Sequence, residues 1–205
     1  LRQPTYADVE VTVEGTVVEE PSAANDGRVT VELRVLDQNG VVTATGSKVD
    51  AAGGGGGLYL ISGSEVAGGQ GPSIRLVDSN VATTGDTAGI VSLNFSNTLV
   101  NRVSALRGSV SAPSSVGIVA NGGPTEISID NATVSGGDFL LQATGAPSAP
   151  QPTSVQVNAS NSAALVGDAS ADATSTATID LKASSRWNGA ALNITNAAVG
   201  STRTW

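Results

Sequence analysis

The sequence predicts an all-β protein, a right-handed parallel β-helix in which short strands stack coil upon coil. Three observations predict it: a hydrophobic fraction built from small residues, a recurring pair of aliphatic positions, and turn chemistry spread along the chain. Of 205 residues 40% are hydrophobic, yet the chain holds only two Trp, two Tyr and two Phe. A conventional globular core needs bulkier side chains to reach native packing density. The 25 Gly, with many Ser, Thr, Asn and Asp, cut the apolar residues into short runs between turns, the pattern of many short strands. Recurrent Val, Ile and Leu pairs give the chain apolar surface to bury, which separates it from a disordered chain of similarly low charge.

In chain order, the first 50 residues alternate. Val9, Val11 and Val13 occupy one face and Asp8, Glu10 and Glu14 the other, and Val29, Val31, Leu33 and Val35 repeat the pattern. Period two is that of a strand with one face inward. Both runs are read as coil strands, although Asn39-Gly40 before Val41 has the chemistry of a two-residue hairpin. Gly53 to Gly57 and Gly68 to Gly71 flank a short strand at Leu58 to Ile61 and read as flexible outer loops. The expected organisation is one β-helix domain over 1–205, with glycine-rich outer loops in 1–72 and repeated coils in 73–205.

From residue 73 one phrase recurs: two aliphatic residues one apart, a short Asp/Ser/Asn-rich turn, then a small apolar position. Its instances start at Ile74 and Leu76, Val103 and Ala105, Ile127 and Ile129, Val155 and Val157, and Ile179 and Leu181. A second series follows at Ile90, Ile118, Leu140, Leu165 and Leu192. The two ladders share a period of roughly 25 residues, within the range of stacked repeats. The intervening turns are too short for a crossover helix, so stacking each coil on the last is the simplest way to pair the strands. About eight coils at ~4.8 Å each would make a rod of ~40 Å. Ala146 to Pro152, with three prolines, reads as an outward loop because Pro cannot donate to a strand ladder.

Charge and missing residue types narrow the function. Ten Lys and Arg against 18 Asp and Glu give a net charge of −8, which argues against nucleic acid and anionic lipid as partners. The acidic residues gathered in the first 40 positions read as the solvated side of the first strands. Cys, His and Met are absent. Without Cys there is no disulfide framework, thiolate nucleophile or Cys-based metal site. Without His there is no Ser-His-Asp triad and no imidazole ligand. No apolar stretch approaches the ~20 residues that span a bilayer.

The remaining motifs are weak. Gly63-Ser64 and Gly108-Ser109 lack a conventional base and read as turns. Asp86 and Asp138 fall at similar places in two coils and are the candidate carboxylate pair of a polysaccharide lyase or hydrolase, with a solvated turn as the plainer reading. The Gly-rich runs lack the Asp of calcium-binding nonapeptide repeats, and no phosphate loop is present. Asn94-Phe-Ser, Asn131-Ala-Thr, Asn158-Ala-Ser and Asn193-Ile-Thr match the glycosylation sequon as chance matches in an Asn/Ser/Thr-rich chain. No catalytic, cofactor-binding or metal-binding residue is assigned, and no cofactor is expected.

The stretch Leu181 to Trp205, with Arg186, Trp187, Gly189 and Trp205, resembles the end of the β-helix in pertactin-like autotransporter passengers. In these a small-residue run leads to an Arg-Trp-x-Gly element and, after a strand and turn, a second Trp. Gly108 to Pro113 and Ile129 to Val134 also resemble coils of that family. The resemblance covers residues 73–205. It implies a fragment of a longer, non-enzymatic passenger at the surface of a Gram-negative bacterium, exported through the periplasm and outer membrane. It further implies a role in adhesion or self-association, with a host surface or matrix component, or another passenger, as partner. The chain begins at Leu1, so an export signal is expected to have been removed. Where some members carry Arg-Gly-Asp, this chain has Arg107-Gly108-Ser109, and integrin binding by that tripeptide is not implied.

Overall fold

The structure, a computed structural model, describes residues 12–19, 30–36, 41–53, 55–62, 71–145 and 152–200. Among these residues every regular element is a strand. The first two, β1 (Thr12–Glu19) and β2 (Thr30–Leu36), pair with each other antiparallel. The remainder form a parallel β-solenoid of three sheets. The first face holds β3 (Val41–Thr45), β6 (Ser73–Val77), β9 (Asn101–Leu106), β12 (Pro124–Asp130), β15 (Ser154–Ser160), β18 (Thr176–Leu181) and β21 (Asn196–Val199). The second holds β4 (Lys48–Ala52), β7 (Asn80–Thr84), β10 (Ser109–Ala112), β13 (Thr133–Gly136), β16 (Ala164–Val166) and β19 (Arg186–Asn188). The third holds β5 (Gly55–Ser62), β8 (Thr87–Asn94), β11 (Val116–Asn121), β14 (Phe139–Thr144), β17 (Ala169–Ala171) and β20 (Ala191–Leu192).

This organisation corrects the sequence reading at the start of the chain. Residues 12–19 and 30–36 are not coil strands but an antiparallel pair, Asp8 to Val11 and Val29 lie outside the described residues, and parallel stacking begins at β3, upstream of residue 73. The seven rungs of the first face span about 29 Å at ~4.8 Å per rung. Counted by the same spacings, about eight coils would span ~34 Å, so the described stack is one rung short of the expected number. Gly55 to Gly57 belong to a strand rather than to a loop. Asn39-Gly40, Gly68 to Gln70 and Ala146 to Gln151 lie outside the described residues.

Pairing in register lines the inward side chains into columns. On the first face Ile74, Val103, Ile127, Val157 and Ile179 lie opposite one another, and beside them run Leu76, Ala105, Ile129, Ala159 and Leu181. Val157, rather than Val155, is therefore the partner of Ile127, and Val155 pairs with Thr125 and Ala177. The slip is by two residues, so Val155 stays inward and buried. The second ladder read from the sequence divides between two sheets. Ile90 and Ile118 continue to Leu141 and Ala169 on the third face, whereas Leu165 belongs to the second. There Val49, Val81, Val110, Val134, Leu165 and Trp187 form a column. Leu140 is buried one residue away from the expected rung, and Leu192 pairs with Ser170 and is exposed. One cluster spans the first two faces and the inner side of the third.

Each corner has its own chemistry. Between the first and second faces a left-handed residue recurs in every coil: Gly46, Asp78, Arg107, Asn131, Asn161 and Ala183, with φ between 47° and 58°. For non-glycine residues this conformation costs about 1–2 kcal/mol each. It persists because it turns the chain while keeping the ladder intact. The N–H of Gly46, Asp78, Arg107 and Asn131 each donates to a carbonyl of the next coil, on Val77, Leu106, Asp130 and Ser160 respectively. Between the second and third faces backbone approaches backbone. A Cβ on Gly137 would lie 1.9 Å from Pro113 O, and one on Gly189 1.9 Å from Gly167 O.

The third corner is polar inside. Asn101 Nδ2 donates to Ser92 Oγ (2.9 Å) and Leu93 O (3.2 Å), Ser92 Oγ meets Thr125 Oγ1 (3.1 Å), and Ser62 donates to Asn101 Oδ1. Asn94 donates to Leu99 O and Pro124 O and accepts from the Ser96 N–H. All six side chains are buried, and this network answers their polar groups. One coil group further along, Asp172 accepts from the N–H groups of Gly145 (2.7 Å), Thr174 (3.0 Å) and Ser175 (2.8 Å). Hydrogen bonds from Gly145 and then Ser175 hold its carboxyl well below the usual carboxylate range.

Two outcomes follow from this packing. Leu165→Ala, which opens a cavity between Val134 and Trp187, should cost about 2–5 kcal/mol in denaturant unfolding; an unchanged midpoint would contradict the column. Because the folded pKa of Asp172 is depressed, its contribution is complete above the unfolded value of about 4 and fades as pH falls through the folded value. Asp172→Asn should therefore lower stability by about 1–2 kcal/mol at pH 7, and the gap from the parent should close as the buffer is made more acidic. A gap that widens in acid would contradict the assignment.

Candidate functional site

With the inward positions filled by core, the chemistry presented to solvent lies in the outward columns. Alternation along each strand gives the three faces different surfaces. The first face is polar and charged. Arg75, Ser104, Ser128, Asn158 and Asp180 form one column. In the next, Arg102 contacts Glu126 at 3.1 Å. Along the adjoining corner Arg107 donates to both oxygens of Asp78 (2.7 and 2.8 Å), and Asn161 donates to both of Asp130 (2.9 and 3.0 Å). The hydrogen bond from Arg107 lowers the Asp78 pKa, and the Arg107 pKa is raised in return. These exposed contacts tie neighbouring coils together and are screened by solvent.

The third face differs. Its six strands, with sequences GGGLYLIS, TAGIVSLN, VGIVAN, FLLQAT, ASA and AL, contain no Asp, Glu, Lys or Arg. Its outward columns are apolar in the first two or three coils and turn polar beyond them. Tyr59, Val91 and Val119 lie in register, ending at Gln142, and Ile61 and Leu93 lie beside them, ending at Asn121 and Thr144. Nearer the corner, Ala88, Val116 and Phe139 pack with Val91, Leu93 and Val119 into a second apolar cluster outside the core. Tyr59 is 50% and Ile61 54% exposed. Phe95, just past β8, is also exposed. Thus both Phe and one of the two Tyr of the chain stand on or beside this outer surface, whereas the described core is aliphatic apart from Trp187. Large aromatics on a surface rather than in the core mark it as a contact face.

The residues singled out in the sequence are placed as follows. Asp86 and Asp138 occupy the same corner, both exposed, but two coils apart. Ser115 lies between them: its hydroxyl donates to Asp86 O (3.2 Å), and its carbonyl accepts from the Asp138 N–H (3.1 Å). The structure does not bring these two carboxylates together. The sequence reading overlooked Asp168, one coil beyond Asp138, whose carboxylate accepts from the Ala190 N–H (2.7 Å). Among the described residues no group of three or more Asp or Glu is placed to hold a metal ion. Ser64 lies outside the described residues, and Ser109 donates to Asn80 on the neighbouring strand (2.8 Å). Gly108 is part of a tight corner, since a Cβ there would lie 2.0 Å from Ser79 O. Of the sequon residues, Asn94 is a buried structural amide, Asn131 is a corner residue, Asn158 lies on the first face and Asn193 donates to Ala171 O (3.2 Å). Trp187 is partly buried against the core, and its Nε1 donates to Gly167 O (2.9 Å). It is only partly enclosed because β19 is the last rung of the second face among the described residues. Trp205 is outside the described residues.

A small void inside the stack, lined by Ile118, Ile129, Val134, Leu140, Leu141 and Leu165 among others, is wholly apolar. A void of that character stays dry. No helix among the described residues is long and apolar enough to cross a membrane. No known protein family, no curated protein and no solved structure matches the chain.

The outward apolar strip should bind an environment-sensitive apolar dye. Replacing Tyr59 and Ile61 together with Ser should lower that dye fluorescence while changing stability by no more than about 0.5 kcal/mol per site, as for exposed positions. Undiminished fluorescence would show that these side chains do not form the accessible patch.

Proposed function

We propose that the protein is a non-enzymatic binding scaffold, a pertactin-like autotransporter passenger displayed at the surface of a Gram-negative bacterium and acting in adhesion or self-association. The observation that carries this reading is the third face: an uncharged, aromatic-bearing outer sheet on a chain whose other two faces are polar. Repeated coils place equivalent side chains ~4.8 Å apart in straight columns, so many weak contacts can act together. Leu181 to Trp205, with Arg186, Trp187 and Gly189, supports the family reading on resemblance alone, and export to the cell surface rests on that same resemblance. The separation of Asp86 from Asp138 by an intervening coil weighs against the lyase or hydrolase alternative, which needs two carboxyl groups flanking one bond.

Expressed in its intact protein on cells that lack other adhesins, the chain should confer cell–cell aggregation or attachment to host matrix. Either activity should decline stepwise as outward residues of the third face are replaced, since a distributed surface has no single indispensable group. Turnover of a polysaccharide by the purified chain, abolished by Asp86→Ala or Asp138→Ala, would overturn the proposal in favour of an enzyme.

A further inference from the structure

The strand β8 runs against its own hydrophobic pattern. From Ile90 onward its inward side chains are Ile90, Ser92 and Asn94, while Val91 and Leu93 lie on the other side of the sheet. Ser92 and Asn94 are both 0% exposed, whereas Phe95, just past the strand, is 38% exposed. Burial of apolar area alone favours the opposite choice. Val91, Leu93 and Phe95 are the more apolar set, and Ser92 and Asn94 give up water contacts that only hydrogen bonds can replace. A shift of one residue exchanges the two sides of a strand, so this sequence has two competing placements.

Sterics fix only the start of β8. Gly89 is held where it stands, since a Cβ there would lie 2.6 Å from Gly117 O. Beyond it the chain can take up one extra residue as a bulge at Ile90, drawn from the six residues Phe95 to Val100 before β9. The corner after β11 has no such slack, because only Gly122 and Gly123 separate that strand from β12. What opposes the shift at β8 is the polar network. Asn101 donates to Ser92 Oγ and Leu93 O, and Ser92 Oγ also meets Thr125 Oγ1. Asn94 donates to Leu99 O and Pro124 O and accepts from the Ser96 N–H. Turning Ser92 and Asn94 outward would leave the Asn101 amide, itself 0% exposed, without these partners inside the stack, where an unpaired polar group is costly.

We propose that Asn94 and Asn101 select the face of β8: they hold the strand in the placement that leaves Val91 and Leu93 outside, and without them it turns over beyond Ile90. The outer apolar cluster of the third face therefore depends on buried amides rather than on hydrophobic pattern. Its bearing on contact rests on the reading of the protein as a binding scaffold, whereas the selection itself does not.

Cysteine pairs read the placement. Val91 lies opposite Val119 on the neighbouring strand and on the same side of the sheet, so Val91→Cys with Val119→Cys should oxidise rapidly to a bridge. Adding Asn94→Ser and Asn101→Leu should slow that oxidation by more than about tenfold, because the thiol at position 91 then points inward and Cβ vectors that point apart cannot be bridged. Further addition of Leu93→Ser and Phe95→Ser, which makes the competing side polar, should restore rapid oxidation, a rescue that general loss of structure could not give. Circular dichroism checks that each variant is folded. Slow oxidation with both asparagines in place overturns the inference, as does oxidation that stays fast once they are replaced. Slow oxidation that Leu93→Ser and Phe95→Ser fail to rescue also overturns it. So does a variant lacking both amides that does not fold, since β8 would then have no second placement to take. None of these readouts involves binding, so their failure leaves the scaffold reading standing, and a chain that passes them yet confers neither aggregation nor attachment removes that reading alone.

Discussion

Everything in this fold depends on a backbone hydrogen-bond ladder that joins each strand to the equivalent strand one coil away. The interaction is local in space and remote in sequence: Ile74, Val103, Ile127, Val157 and Ile179 are neighbours only because 22 to 30 residues separate each from the next. A parallel ladder fixes register at every rung, so inward residues fall into columns and outward residues do as well. It also forces the chain to turn three times per coil without breaking the stack. The left-handed residues from Gly46 to Ala183 meet that demand at one corner. Glycines that permit backbone-to-backbone contact meet it at the second, and a buried amide and hydroxyl network at the third.

The same constraint determines what the molecule can present. With the interior occupied by aliphatic columns, polar and aromatic groups have only the outer faces and corners. Columns of Ser, Asn and charged residues cover the first face, where Arg102–Glu126 and the Arg107–Asp78 contact bridge adjacent coils. The third face instead carries Tyr59, Val91, Val119 and Phe139. In a conventional globule such residues would fill the core. Here the interior columns hold Val, Ile, Leu and Ala, with Trp187 partly buried against them at the last rung of the second face. Rings placed outward are therefore available for contact, and their position on the one uncharged sheet gives the scaffold a distinguishable side.

Much of this architecture was legible in the sequence because hydrophobic spacing reports inward columns directly. The phrases at Ile74, Val103, Ile127 and Ile179 fall on their true rungs. At β15 the reading slipped by two residues, since Val155, Val157 and Ala159 are all inward and the bulkiest pair was matched instead of the correct one. Val81, Val110 and Val134 passed unnoticed as a column: each is a single Val among Ser, Thr and Ala, with too little contrast to stand out. For the same reason Leu165 was assigned to the wrong sheet, the corner between the second and third faces being only two residues long. The apolar outer surface was illegible, because in TAGIVSLN or VGIVAN both sides of the strand are apolar and alternation disappears. That surface appears only once register shows that Ile90 and Ile118 point into the core, which leaves Val91 and Val119 on the other side of the sheet, where Val91 is buried in the second apolar cluster.

Because the chain contains no Cys, introduced pairs report register without interference. Ser128 lies opposite Asn158 in the structure, whereas the register that pairs Ile127 with Val155 would place it opposite Gln156. Directly opposed residues on neighbouring strands lie within the span a disulfide can bridge, about 4.4–6.8 Å between Cα atoms. A diagonal pair lies at about 7–8 Å. Ser128→Cys combined with Asn158→Cys should therefore oxidise rapidly to an intramolecular bridge, and Ser128→Cys with Gln156→Cys should do so far more slowly. The reverse order of rates, or no bridge in either variant, would contradict the stacked register from which both the core and the outward faces follow.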